Sequence, residues 1–278
     1  MVMCLPLPGD CSLDLVDQVV DERQNGRHAA RFRGWKAGWR ARVQEYLDHG
    51  GSPEHIYPWA AVADYAATFH NLYNSSKPDT AHGDMLRRLR DHELRLCPAC
   101  GELGRPNTLD HYLPKAAYPH FSLTPANLFP MCDACQGEKL VKTGSPAEPR
   151  FFLHPYFDAF AAGQILKLTI IPPFNAPTFV LEPQGVTEAE AAVITAHLRE
   201  LDISGRYVKF FKDEHRRLLR NVSRMRDKEQ DVLATLESWA FDAADPTPNS
   251  WQHLFYDGVL ANPAFLEYLT EGDLPSYL

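Results

Sequence analysis

The chain alternates between amphipathic helical stretches and short apolar runs. Residues 12–24 start at Ser12 and repeat apolar side chains every three or four positions, which predicts a helix. Residues 27–48 repeat the pattern with Phe32, Trp35, Trp39, Val43 and Tyr46 on one face. Arg27, Arg31, Arg33, Lys36, Arg40 and Arg42 lie on the other. Gly50 and Gly51 end that helix. Ser52-Pro53-Glu54 then predicts the start of another, running to about Tyr73 and apolar on much of its circumference. A short helix over about 80–92 follows the turn NSSKPD.

Beyond Lys142 the pattern changes. TGSPAEP reads as a linker and FFLHPYFDAF as a compact aromatic segment. ILKLTIIP and PTFVLEP predict two strands around a loop. Thr187-Glu188-Ala189-Glu190 is a capping-box sequence opening a helix to about Leu201. Residues 205–228 predict a long basic helix, with two or three helices after it. There is no internal repeat and no low-complexity tract.

Composition places the chain among soluble globular proteins, 45% apolar and 23% charged. No stretch approaches 18 consecutive apolar residues and the first ten residues do not read as a secretory signal, so the expectation is a cytoplasmic protein with no membrane partner. Net charge is −8, which at first opposes a nucleic-acid partner. The distribution reverses that inference. Residues 229–278 hold nine acids and no Lys or Arg, so residues 1–228 carry a slight positive balance. One hypothesis is that this acidic segment covers the basic helix 205–228 until DNA or a partner displaces it.

The densest chemistry lies in residues 97–139. Cys97, Cys100, Cys132 and Cys135 form CxxC-x31-CxxC, which in a cytosolic chain argues for a four-thiolate zinc site with no open position, hence structural. Cys4 and Cys11 read as small apolar residues. Inside the frame, Asp110 and His111 stand together in LDHYLPK at the expected end of a short strand. Asn127 follows sixteen residues on, and Gln136 directly follows the last cysteine, with Lys139 three residues later.

This combination resembles the HNH, or ββα-metal, endonuclease family. The resemblance covers about residues 97–142 and rests on the cysteine frame, D-H-x-x-P, N-L-x-P and C-x-x-C-x-x-x-K together. It implies a mainly α protein with a small central ββα-metal, zinc-stapled core and a short β-hairpin. The implied organisation is a helical region over 1–92, a nuclease core over 93–160, and a hairpin plus helical region over 161–278. It implies one-metal hydrolysis of DNA phosphodiester bonds, with His111 as general base and Asn127 bracing the loop that orients it. Asp110 and Gln136 would ligate the catalytic Mg²⁺ or Mn²⁺, and Zn²⁺ would be purely structural. The family usually places Asn or His where this chain has Gln136, and Gln reaches one methylene further. His154 is an alternative third ligand. Lys115 and Lys139, with Arg216, Arg217 and Arg220 of the basic helix, are the candidate phosphate contacts. The overall plan is loosely similar to the HNH subunit of Septu-type anti-phage defence systems, which implies a defence effector working with an ATPase subunit. The competing reading is a non-catalytic zinc module that binds nucleic acid or a partner protein.

Overall fold

The computed structural model describes residues 2–275. About half of the chain is helical, with two small two-stranded sheets. It divides into two compact units. One comprises residues 3–99 and 104–159; the other comprises residue 2, residues 100–103 and residues from 160 onward. No helix among the described residues is long and apolar enough to cross a membrane.

The first unit opens with α1 (Ser12–Asp21) packed on α2 (Ala29–Asp48). In α2 the predicted apolar stripe is the buried one: Phe32, Trp39, Val43 and Tyr46 are all inside. Its arginines stay at the surface, where Arg40 pairs with Asp17. Gly50 and Gly51 both take positive φ, 56° and 67°. At Gly51 a Cβ would come 2.5 Å from the Tyr46 ring, so glycine lets the chain reverse directly against that phenol.

The single helix expected from Ser52 to Tyr73 is not formed. Turns lead to Pro58, a 3₁₀ segment covers Ala60–Tyr65, and only Ala66–Asn74 is α-helical, as α3. Pro58 lacks the N–H a continuing helix needs and restricts the residue before it, which breaks the run. Next comes α4 (Ala81–Arg90), capped by the Thr80 hydroxyl accepting from the Gly83 amide. Then β1 (Thr108–His111) pairs antiparallel with β2 (Leu128–Met131), placing Asp110 opposite Phe129 and His111 opposite Leu128. The short helix α5 (Asp133–Lys139) follows directly.

In the second unit, β3 (Leu166–Ile171) and β4 (Thr178–Pro183) form the predicted hairpin. The capping box at Thr187 and Glu190 is present and opens α6 (Glu188–Glu200). α7 (Ile203–Asp227) buries Tyr207, Phe211, Leu218, Leu219 and Val222 along one face. α8 (Val232–Ala243), α9 (Trp251–Leu260) and α10 (Pro263–Glu271) pack on it. These helices belong to the acidic segment, and they take the apolar side of α7. Lys209, Lys212, Arg216, Arg217, Arg220 and Arg224 remain exposed, so the segment does not cover the basic face. Hydrophobic burial decides which face is taken, because apolar area removed from water outweighs screened surface charge pairs.

Candidate functional site

The cysteine frame closes as its spacing requires. The thiols of Cys97, Cys100, Cys132 and Cys135 all lie within 4.8 Å of one another, so the cluster could hold a metal such as zinc. The Cys132 amide donates to Cys97 Sγ at 3.4 Å. Among the described residues this is the one group of three or more His, Cys, Asp or Glu side chains able to gather on an ion.

Asp110 and His111 share β1 but face different neighbours. The Asp110 carboxylate turns to α5. Its Oδ1 accepts from Gln136 Nε2 at 3.4 Å, and its Oδ2 lies 2.9 Å from Lys139 Nζ. That second contact is a buried ion pair, although Oδ2 makes no well-aligned hydrogen bond. This hard carboxylate oxygen, with the Gln136 amide beside it, fits a hard divalent ion that would share or replace the Lys139 contact. The Gln136 amide would need a half-turn to present its carbonyl oxygen instead of its NH₂. Two protein oxygens suffice for Mg²⁺, which keeps several of its waters.

The His111 ring turns away from that carboxylate. Its Nε2 is 3.1 Å from the Ser122 carbonyl, and its ring meets Tyr73 edge-on at 4.6 Å between centroids. A carbonyl only accepts, so Nε2 carries the proton. The lone pair is then on Nδ1, which has no hydrogen-bond partner among the described residues. Burial pushes the His111 pKa down to about 3, so the imidazole is neutral at physiological pH.

Asn127 is the hub of this region. Its Oδ1 accepts from the Leu113 amide at 2.8 Å and from Tyr46 Oη at 3.0 Å. Its Nδ2 donates to the carbonyls of Leu113 at 3.0 Å and Phe121 at 3.2 Å. The chain just after His111 is thereby tied to the chain just before Ser122, the two ends between which the imidazole is held. The relay extends inward. His154 Nδ1 accepts from the Tyr156 amide at 3.1 Å, so its Nε2 carries the proton and donates to Tyr46 Oη at 2.9 Å. His154 is fully buried and both of its ring nitrogens are engaged in this network, which leaves neither for a third metal ligand. The sequence singled out Asn127 but not Tyr46, Tyr73 or Ser122. Tyr46 and Tyr73 look like ordinary core aromatics in a helical stripe, and Ser122 contributes through its backbone.

Lys139 is a second correction. It is not a phosphate contact: only 1% of it is exposed, and Nζ donates to the His111 carbonyl at 2.6 Å beside its Asp110 contact. A helix of seven residues placed against β1 leaves its last lysine pointing inward. Lys115 is half-buried, with Nζ on Asn74 Oδ1 at 3.2 Å and 4.4 Å above the Tyr73 ring. In the second unit Arg216 and Arg220 are exposed. Arg217 pairs with Glu214, itself buried and bonded to Tyr256 Oη, so part of its charge is committed.

Against known proteins, no family model and no solved structure matches the chain. Protein ea31 of Escherichia phage lambda is 37% identical over 143 residues, covering 50% of this chain. The match takes in 47% of that protein, so the chain spans about half the length of the curated relative it matches.

Proposed function

We propose that β1, β2 and α5 form an HNH-type hydrolytic centre that cuts phosphodiester bonds in DNA. The observation that carries this reading is the arrangement around β1: a buried neutral imidazole with a free Nδ1, next in the chain to a buried carboxylate that faces the Gln136 amide and the Lys139 ammonium. Both stand on an antiparallel strand pair that runs straight into a short helix, beside a four-thiol cluster.

In this reading His111 Nδ1 takes a proton from the attacking water while Ser122 fixes the ring through Nε2. A bound phosphodiester anion raises the basicity of the imidazole, opposing the effect of burial. A divalent ion held by Asp110 and the Gln136 carbonyl would offset the charge that builds on the scissile phosphate. Asn127 keeps the His111 loop in one shape. Lys139 clamps the strand end from beneath through the His111 carbonyl. The exposed cations of α7 offer a sequence-independent phosphate surface. The setting, an anti-phage effector acting with an ATPase subunit, rests on the family resemblance alone.

The second reading, a non-catalytic zinc module, is favoured by one specific contact. Lys139 already supplies a positive charge at Asp110, where the metal would bind. Plasmid nicking separates the two. The full chain, with zinc retained, should nick supercoiled DNA on addition of Mg²⁺ or Mn²⁺. DNA binding without cutting in either ion would overturn the nuclease reading in favour of the module.

A further inference from the structure

A groove beside the candidate centre has no part in the chemistry above. It is an open cavity of about 490 Å³ in the first unit, lined by Ser76, Pro78, Gly83, Arg87, Arg90 and Asp91. Gly83, Arg87 and Arg90 fall at i, i+4 and i+7 on α4, so the cavity runs along one helix face. Its floor must be glycine. A Cβ on Gly83 would come 1.8 Å from the Lys77 carbonyl, so the turn before α4 packs directly on that backbone.

The groove leads to His111 through one ring. The Arg90 guanidinium lies 5.7 Å from the Tyr73 centroid and Lys115 Nζ lies 4.4 Å from it. The same ring is in edge contact with the His111 imidazole. Lys115 and Arg90 thus share the ring that touches the imidazole, and Arg87 stands with Arg90 along the groove.

Helix-dipole compensation alone would explain basic residues in the last turn of α4. It would apply equally to Arg88, which is instead engaged by Asp10 on another side. Among the described residues Arg87 has only an exposed i,i+3 ion-pair partner, Asp84 at 3.0 Å, a pair of little energetic weight. Arg90 has no carboxylate within ion-pairing distance among the described residues and is held on an aromatic face instead.

We propose that this α4 groove is the nucleic-acid track of the centre, with Lys115, Arg90 and Arg87 contacting successive phosphates of a strand that enters at His111. Tyr73 serves as the hinge between track and centre, orienting both Lys115 and Arg90. The inference rests on the nuclease reading of the same site, and it names the surface that delivers the substrate. It places the principal DNA contact on α4 rather than on the longer basic face of α7.

The test is anisotropy with a fluorescein-labelled DNA duplex and the full zinc-bound chain, without Mg²⁺ and at several salt concentrations. The Arg87→Ala/Arg90→Ala double variant should bind at least about tenfold more weakly, with a salt slope shallower by about two. Arg87→Lys/Arg90→Lys should regain most of that slope, because point charges suffice for phosphate contacts. Arg33→Ala, an exposed cation on α2, should bind as the wild type does. Wild-type affinity and slope in a double variant of unchanged melting temperature would overturn the proposal, as would no binding by the wild type. Nicking on the same preparations separates the two claims. A double variant that binds and cuts normally removes the groove and leaves the nuclease reading intact. Binding that depends on Arg87 and Arg90 in a protein that never cuts supports the groove and removes the nuclease.

Discussion

In the proposed function the β1–β2–α5 centre and the cationic face of α7 both serve a polyanion, but they are built in opposite ways. The centre draws on residues scattered from Tyr46 to His154, each held from several sides and nearly all buried. The α7 face is one continuous helical run, exposed, with Asp213 at 3.8 Å from Arg216 as a loose surface pair. A buried polar group must be satisfied or it costs stability, so each one in the centre has a specific place. A solvated charge is tolerated almost anywhere on a surface. The centre therefore carries specific information about chemistry, whereas in the proposed function α7 would add only a general attraction for phosphates.

That contrast predicts unequal responses to substitution. The largest effect belongs to the cysteine frame. Cys132→Ser/Cys135→Ser, or stripping the metal with a strong chelator, should cost most of the fold of residues 97–139, because structural zinc supplies folding free energy directly. Loss of one metal equivalent and collapse of the thermal transition would show it; an unchanged melting curve after metal removal would contradict the structural role.

Next is Lys139→Met. It leaves the Asp110 carboxylate buried without its cation, which should destabilise by about 3–5 kcal/mol unless a divalent ion replaces the charge. Denaturant midpoints with and without Mg²⁺ measure both parts. Rescue by Mg²⁺ in the variant, exceeding that in the wild type, would show metal and lysine competing for one carboxylate. Equal responses to Mg²⁺ would argue against an ion at Asp110.

Asn127→Ala removes four hydrogen bonds and should destabilise on the order of 3 kcal/mol. Arg216→Ala/Arg220→Ala marks the other end of the comparison. It should leave the melting temperature within measurement error and lower DNA affinity a few-fold, uniformly across sequences. A large thermal shift in that variant would mean that α7 is not the passive surface described.

How much of this was legible in the sequence depended on whether a feature has a local signature. The four cysteines, Asp110, His111 and Asn127 were visible because spacing and residue type restrict their roles. The hairpin Leu166–Pro183 and the Thr187 capping box were visible because alternation and caps are short-range rules. The break at Pro58 contradicts the single helix that the apolar content of 52–73 predicts, because one proline decides the backbone there whatever the side-chain pattern. Lys139 was misread because a lysine near the end of a helix is usually solvated. Only the packing of α5 on β1 turns it inward. The Tyr46–Asn127–His154 relay spans more than a hundred residues and has no sequence signature.

A separate effect concerns acid. Burial lowers the pKa of His120 to about 3 and of His82 to about 4, both below the ordinary value of 6.5. A depressed folded value means that the unfolded chain binds the proton first. The contribution to stability is therefore complete above about pH 6.5 and is lost as pH falls toward 4 and then 3. His120→Phe should flatten part of that slope between pH 6 and 4 while changing neutral stability little, since both His120 nitrogens lack a hydrogen-bond partner among the described residues and the ring is packed among aromatics. Chemical denaturation at several pH values would reveal the difference, and parallel curves for the two proteins would exclude His120 as a contributor.

The central claim is that His111 Nδ1 is the proton acceptor of a phosphodiesterase centre. The most direct measurement compares wild type and His111→Ala in plasmid nicking with Mn²⁺, at protein concentrations that give equal DNA occupancy. The account predicts a nicking rate at least a hundredfold lower in the variant, with zinc content and DNA affinity unchanged. Equal rates in the two proteins would contradict it.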